Sequence, residues 1–296
     1  MIMRPTVFGV LMSVLLAACG LTVEGTACLG CGSFDAATTE PEADANGPGR
    51  ALTVPEPDAA ATDTDAEAPL PPYAAAVLAD RPVAYWRFEE TAGDVAFDAM
   101  GRHPATRTGG PVGRGPGAVA GTAARFEGGC LDAGSVPGLG GAVSIEAWVA
   151  WEAADRAIVR QANAVYANHV GAFAGWGLRL SSDPPSHPTW ESGPSGGVGG
   201  FGTVGPLGTG TGTAKGVFAH VVLVSDGARG VLYLDGIKVG EGESRAVPTN
   251  AEALTIGCDP RGAFRGALDE VAVYDHVLTA ARVQAHYEAA REPVRE

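Results

Sequence analysis

FRGALDEVAVYDHVLTAARVQAHY, residues 264–287, changes its period in the middle. From Leu268 to Asp275 the apolar residues follow a two-residue alternation, the signature of a strand. Leu268, Glu270, Ala272 and Tyr274 fall on one face and Asp269, Val271, Val273 and Asp275 on the other. A turn is expected at Asp275-His276. Thr279 then reads as the N-cap of a helix that places Val283 and Tyr287 four apart on one face. On this reading the adjacent acids Asp269 and Glu270 point to opposite faces, so they cannot alone form the carboxylate pair, about 5–5.5 Å apart, of a retaining glycosidase.

Other segments repeat the strand pattern. VAYWRFEE, TAARFEGG, VSIEAWVAW, WGLRLSS, FAHVVLVSDG, GVLYLDGIKVG and ALTIGCD are each of strand length. In VSIEAWVAW, Val143, Ile145, Ala147 and Val149 alternate with Ser144, Glu146 and Trp148. Asp226-Gly227 marks a hairpin turn. With 43 glycines and 21 prolines among 296 residues, the pattern predicts an all-β, two-sheet antiparallel sandwich closed by one short C-terminal helix.

The amino-terminal region is different. Arg4 precedes an apolar run from Val7 to Ala18, shorter than the roughly 20 residues that span a bilayer but suited to secretion. It ends in Leu16-Ala17-Ala18-Cys19, which resembles the lipobox of bacterial lipoproteins. That resemblance implies a signal peptide over residues 1–18, lipidation of Cys19, and a membrane anchor at the outer membrane or cell surface. Residues 19–72 are rich in Ala, Thr, Pro, Asp and Glu and have little to bury, so they are expected to be a disordered, acidic tether. Ten acids against one arginine there carry nine of the fourteen net negative charges. A pI of about 4.8 and the lack of a basic stripe exclude a nucleic-acid partner. Cys28 and Cys31 form an isolated CxxC, read as a local disulfide. Cys130 and Cys258 each end an apparent strand and are candidates for a second one.

From Tyr73 onward the chain resembles the laminin-G-like, concanavalin-A-like jelly-roll domain. Pro82, Tyr85-Trp86-Arg87, Glu89-Glu90, Gly93, Asp98 and Gly101 match that family's opening motif. SIEAWV, FAHVVLVSDG with LYLDG, LTIG and the 264–287 stretch follow in its order. The resemblance covers about residues 73–290 and implies one jelly-roll domain over residues 73–296. It also implies a structural Ca2+ where the first and last strands meet, with Asp98 and Asp269 as ligands beside the Gly128-Gly129 turn. The residues alone equally allow Asp98 as a turn-former and Asp269 as a partner for Arg87 or Arg265.

The family's glucanases carry Glu-x-Asp-x-x-Glu, which this chain lacks; it also lacks GxSxG and HExxH. No catalytic residue is assigned, and the chain is expected not to be an enzyme. His220, on an apolar strand, reads as a packed core residue, and Trp86 and Trp148 occupy packing positions of the family. Residues 181–215, rich in Gly and Pro, depart from the family pattern and read as a long loop. Trp176 and Trp190 flank or occupy it and are the candidate ligand-stacking residues, with Phe201 beside them. The expected function is non-catalytic binding of a glycan or surface protein. The alternatives are a polysaccharide-acting enzyme of the same fold or a purely structural surface protein.

Overall fold

The structure is a computed structural model that describes residues 70–153, 156–167, 170–180, 188–193, 202–204, 213–246, 251–259 and 262–293. Cys19, Cys28, Cys31, nearly all of the acidic tether and Phe201 lie outside the described residues. In chain order the elements begin with α1 (Pro72–Ala79), β1 (Ala84–Trp86), β2 (Val95–Ala96), β3 (Ala105–Gly109), β4 (Val112–Pro116), β5 (Thr122–Glu127) and β6 (Gly129–Ser135). They continue with β7 (Val143–Ala153), β8 (Arg156–Ala167), β9 (Val170–Leu180), β10 (Pro188–Gly193), β11 (Gly202–Val204) and β12 (Ala219–Ser225). The last are β13 (Arg229–Leu234), β14 (Ile237–Glu243), β15 (Ala253–Ile256), β16 (Cys258–Asp259), β17 (Gly262–Ala263), β18 (Arg265–Tyr274) and α2 (Ala280–Ala289).

Two antiparallel sheets of eight strands carry the fold. Sheet 1 runs β14-β13-β12-β7-β18-β5-β4, with β1 also paired to β18. Sheet 2 runs β11-β10-β9-β8-β15-β6-β3-β2. The alternation in β7 does what the sequence implies. Val143, Ile145, Ala147 and Val149 enter the core between the sheets, with Val221 and Leu223 of β12 and Leu178 and Leu180 of β9. Tyr85, Trp148, Val222 and Tyr274 form a second buried cluster on the outer face of sheet 1, covered by Tyr73, Ala74 and Val77 of α1 and Val283 of α2. Each large apolar side chain so buried contributes about 1.5–3 kcal/mol. The hairpin at Asp226-Gly227 forms as expected, with Asp226 Oδ1 accepting the N–H of Ala228 at 2.8 Å and of Arg229 at 2.6 Å. Thr279 caps α2, its Oγ1 accepting the N–H of Arg282 at 3.3 Å.

Three features differ from the sequence expectation. First, Pro72–Ala79 is a helix rather than part of a strand region. Proline at its first turn and four alanines favour the helix, and Pro82 disfavours its continuation. Second, part of the 181–215 stretch is strand: β10 pairs with β9, and β11 with β10. Third, β18 is not a regular strand.

The irregularity of β18 has a geometric cause. One of its edges pairs with β7 over Arg265–Asp269 and again over Ala272–Tyr274. The other pairs with β5 over Arg265–Leu268 and with β1 over Val271–Val273. The seam between those partners falls at Asp269-Glu270, where the register against β7 shifts and Glu270 has φ +50°. An extra residue at such a bulge resets the alternation. Leu268, Val271 and Val273 all enter the inter-sheet core, whereas Ala272 and Tyr274 face outward. Asp269 and Glu270 therefore lie together on the outer face, and the expectation that they diverge is corrected.

Cys130 of β6 and Cys258 of β16 are joined by a disulfide, with Cα atoms 5.4 Å apart and a sequence separation of 128.

Candidate functional site

Beyond β1 the chain turns out of sheet 1 through Phe88, which is buried with φ +61°. The segment that follows shapes a cleft of about 540 Å³ lined by Arg87, Glu89, Glu90, Thr91, Phe97 and Ala99. Phe97 is 67% exposed, an unusual position for a large apolar side chain. Its backbone is held by Glu90, whose Oε1 accepts the Phe97 N–H at 2.6 Å. Glu90 is in turn fixed by Arg114, which donates to its carbonyl at 2.8 Å and lies 3.3 Å from its Oε2. Opposite, Glu89 Oε2 accepts the N–H of Thr122 at 3.1 Å, and its Oε1 lies 3.6 Å from Arg87. Gly121, with φ +65°, leaves room for that carboxylate. A Cβ there would sit 1.9 Å from Glu89 Oε2.

Behind the cleft lie the two acids of the β18 bulge, both buried. Glu270 accepts the Tyr85 hydroxyl in a short hydrogen bond, and its other oxygen is 3.5 Å from Arg87 Nε. Asp269 accepts the N–H of Ala118 at 2.8 Å and that of Glu270 at 3.0 Å. Burial, then the charge of Glu270, raises Asp269 to about 8 despite those N–H donors. Burial also raises Glu270 to about 7, although Arg87 and the Tyr85 hydroxyl pull the other way. Glu89 adds repulsion to both. Values raised toward neutrality are what an acid–base group needs. Neither member lines the cleft, however; Arg87 and Glu89 do.

The residues singled out from sequence sit elsewhere. Trp176 is fully buried in the core between the sheets, so it offers no stacking surface. Trp190 is on β10, opposite Leu178, and its side chain lies outside the described residues. Trp86 is buried and donates its indole N–H to the carbonyl of His103 at 2.8 Å, a packing role.

Asp98 does not fit the calcium role. Its Oδ1 accepts the N–H of Tyr85 at 2.8 Å and Met100 at 2.9 Å, and its Oδ2 those of Arg102 at 3.0 Å and His103 at 2.9 Å. All four lone-pair sites of the carboxylate are thereby used. Asp98 shares no hydrogen-bond partner with Asp269, and among the described residues no three His, Cys, Asp or Glu are placed to hold a metal. Asp98 is the turn-former that the residues alone allowed.

Sequence reading passed over Phe97 and took Glu89-Glu90 as part of the opening motif. The available signal was an aromatic residue in the turn-rich stretch between Gly93 and Gly101.

A family model described as the concanavalin A-like lectin/glucanases superfamily matches residues 128–284. Among solved structures the chain is similar to domain 4 of AbnA, a GH43 extracellular arabinanase from Geobacillus stearothermophilus, determined with arabinotriose. Identity is 19% over 70% of this chain and 98% of that one, with a TM-score of 0.49. The binding domain of Paraclostridial Mosquitocidal Protein 1 aligns at 15% identity over 71% of this chain and 52% of that one, TM-score 0.51. The binding domain of botulinum neurotoxin DC, determined with rat synaptotagmin II, aligns at 11% identity over 72% and 52%, TM-score 0.50. The chain thus spans about half the length of the two toxin chains. At these identities the likeness is one of fold. No curated protein sequence matches the chain.

Proposed function

The chain belongs to the concanavalin A-like lectin/glucanases superfamily, and from that premise we propose a lipid-anchored surface protein whose jelly roll binds a glycan without cleaving it. The observation that carries this reading is the exposed Phe97 beside Arg87, Glu89 and Glu90 in one cleft. A sugar ring has an apolar C–H face and a rim of hydroxyls. An aromatic face covers the first, and carboxylates with a guanidinium bond the second. The rigid sheet below and the Glu90–Arg114 brace above hold these groups in place before a ligand arrives.

Phe97→Ala is expected to weaken oligosaccharide binding about two- to tenfold, since an aromatic contact contributes about 0.5–1.5 kcal/mol. Its melting temperature should not move, because the side chain is mostly solvated. Calorimetric titration with a panel of neutral oligosaccharides measures the first, and a thermal melt the second. Binding that ignores the substitution, or no binding to any sugar, defeats the reading.

A hydrolytic reading draws support from the raised Asp269–Glu270 pair. It requires new reducing ends from a bound polysaccharide and their loss in Glu270→Gln.

The anchor rests on the lipobox resemblance at Cys19. Cells given an alkyne-tagged fatty acid should label the wild-type chain and leave Cys19→Ser unlabelled. Equal labelling of both would remove Cys19 as the acceptor.

A further inference from the structure

The outer face of sheet 1 holds a second set of buried titratable groups, remote in function from the cleft, and they join five elements. Glu146 of β7 is fully buried and its carboxylate meets four donors. Oε1 accepts the Tyr73 hydroxyl from α1 at 2.8 Å and lies 2.7 Å from His220 Nε2 of β12. Oε2 accepts the Tyr274 hydroxyl from β18 at 2.8 Å and lies 2.9 Å from His286 Nδ1 of α2. The other nitrogen of His286, Nε2, is 2.9 Å from Asp80 Oδ2 at the C-terminal end of α1. Arg282 donates through Nε to the same Asp80 oxygen at 2.8 Å and through NH2 to the Ala76 carbonyl at 3.3 Å.

This geometry sets protonation states. Both ring nitrogens of His286 face carboxylates, which favours the imidazolium, while Arg282 NH2, 3.5 Å from Nε2, opposes it. His220 turns Nε2 toward Glu146, and among the described residues its Nδ1 meets no hydrogen-bond partner. The buried Glu146 and the partly exposed Asp80 thus meet His286 between them, with the partly exposed Arg282 beside Asp80. Taking the proton from His286 removes a donor from one carboxylate and leaves an uncompensated negative charge under the helices. Protonating Glu146 leaves the imidazolium facing a neutral acid.

Both ends of α1 depend on this cluster, Tyr73 in its first turn and Asp80 at its last. Helices of eight and ten residues do not persist without docking. We propose that Glu146, His286 and Asp80 form a protonation-dependent latch: α1 and α2 leave sheet 1 together when His286 loses its proton or Glu146 gains one, while the sandwich beneath remains folded. Release would free Pro72–Val83 to span at most about 40 Å.

The titration of the groups is consistent with that. Burial pulls His286 down, but the charge and hydrogen bond of Glu146 and the charge of Asp80 outweigh it, holding the ring above its ordinary 6.5. Its contribution is complete below pH 6.5 and is lost as pH rises through the raised value. Burial pushes Glu146 up, and His286 and His220 more than reverse this, holding it far below its ordinary 4.5. Its contribution is present above pH 4.5 and is lost as pH falls through the depressed value. Tyr73 and Tyr274 are pushed well above 10.0 by burial and by Glu146, and stay protonated throughout. Tyr287 stacks on His220 with centroids 5.9 Å apart. Tyr85 and Glu270 are the next titratable groups along the same face.

Hydrogen exchange of the full chain from pH 5 to 9, corrected for intrinsic rates, tests the latch. From pH 6.5 up to a midpoint, exchange in residues 72–79 and 280–289 should rise about tenfold per pH unit, as release of one proton requires, and level off above it. Amides of β7, β12 and β18 should stay protected. Asp80→Asn should lower the midpoint, because the imidazolium loses one of its two anionic partners. Glu146→Gln should abolish the pH dependence; if that variant does not fold, Asp80→Asn decides alone, since Asp80 sits at the rim of the cluster. Constant helix protection over the whole range overturns the latch. So does helix exchange that tracks the strands, or a midpoint indifferent to Asp80→Asn.

Discussion

Glu146→Ala should lower the stability of the domain by about 3–5 kcal/mol, the usual cost of removing one partner from a buried charged network. Tyr73 and Tyr274 would keep buried hydroxyls without an acceptor, and His286 would keep a charge compensated only by Asp80. The void left by the side chain would add to the loss. At a urea slope of about 2–3 kcal/mol/M, the unfolding midpoint should fall by about 1–2 M at pH 6. Glu152→Ala is the control. Glu152 pairs with Arg125 on the surface, with both side chains more than two-fifths exposed. Its loss should cost at most about 1 kcal/mol. If the two variants unfolded at the same urea concentration, Glu146 would be no more than a solvated acid.

The second large effect is expected from replacing Cys130 and Cys258 together by alanine. Their bridge spans 128 positions of chain. In the chain-entropy account, freeing a loop of that size stabilises the unfolded state by about 4–5 kcal/mol. For a domain of this length the melting temperature should then drop by about 8–20 °C. Wild-type protein treated with reductant should fall to the same value. A double variant melting within about 2 °C of wild type would show that the bridge constrains nothing the sheets do not already constrain.

What could be seen in the sequence was what neighbours along the chain decide. The alternation of β7, the Asp226-Gly227 turn and the Thr279 cap depend on residues within a few positions, and each appears where it was expected. The Trp176-Gly-Leu178-Arg-Leu180 alternation held the same information, and read by its period it puts Trp176 inside. The bulge at Asp269-Glu270 was not legible in this way. It exists because two strands distant in sequence, β1 and β5, divide one edge of β18 between them. The acid pair is therefore a product of tertiary pairing, and strict alternation misassigned it. The cleft was hidden for a like reason, since Glu89 is held by Thr122 and Glu90 by Arg114, residues supplied from the next hairpin. Helix α1 was overlooked because eight residues carry little periodicity; its docking on Glu146 decides the matter.

The two helices that close the fold have a consequence for how such a unit can travel between proteins. Tyr73, where the described chain enters, and His286, where it is about to leave, have ring centroids 6.3 Å apart. Entry and exit are therefore side by side. A unit with adjoining ends can be spliced into a surface loop of another protein, or copied in tandem, without prising its host open. The Tyr73–Glu146–His286 contact that fastens the helices is also the clasp that keeps those ends together, so recombination at this point would carry the whole sandwich as one intact cassette.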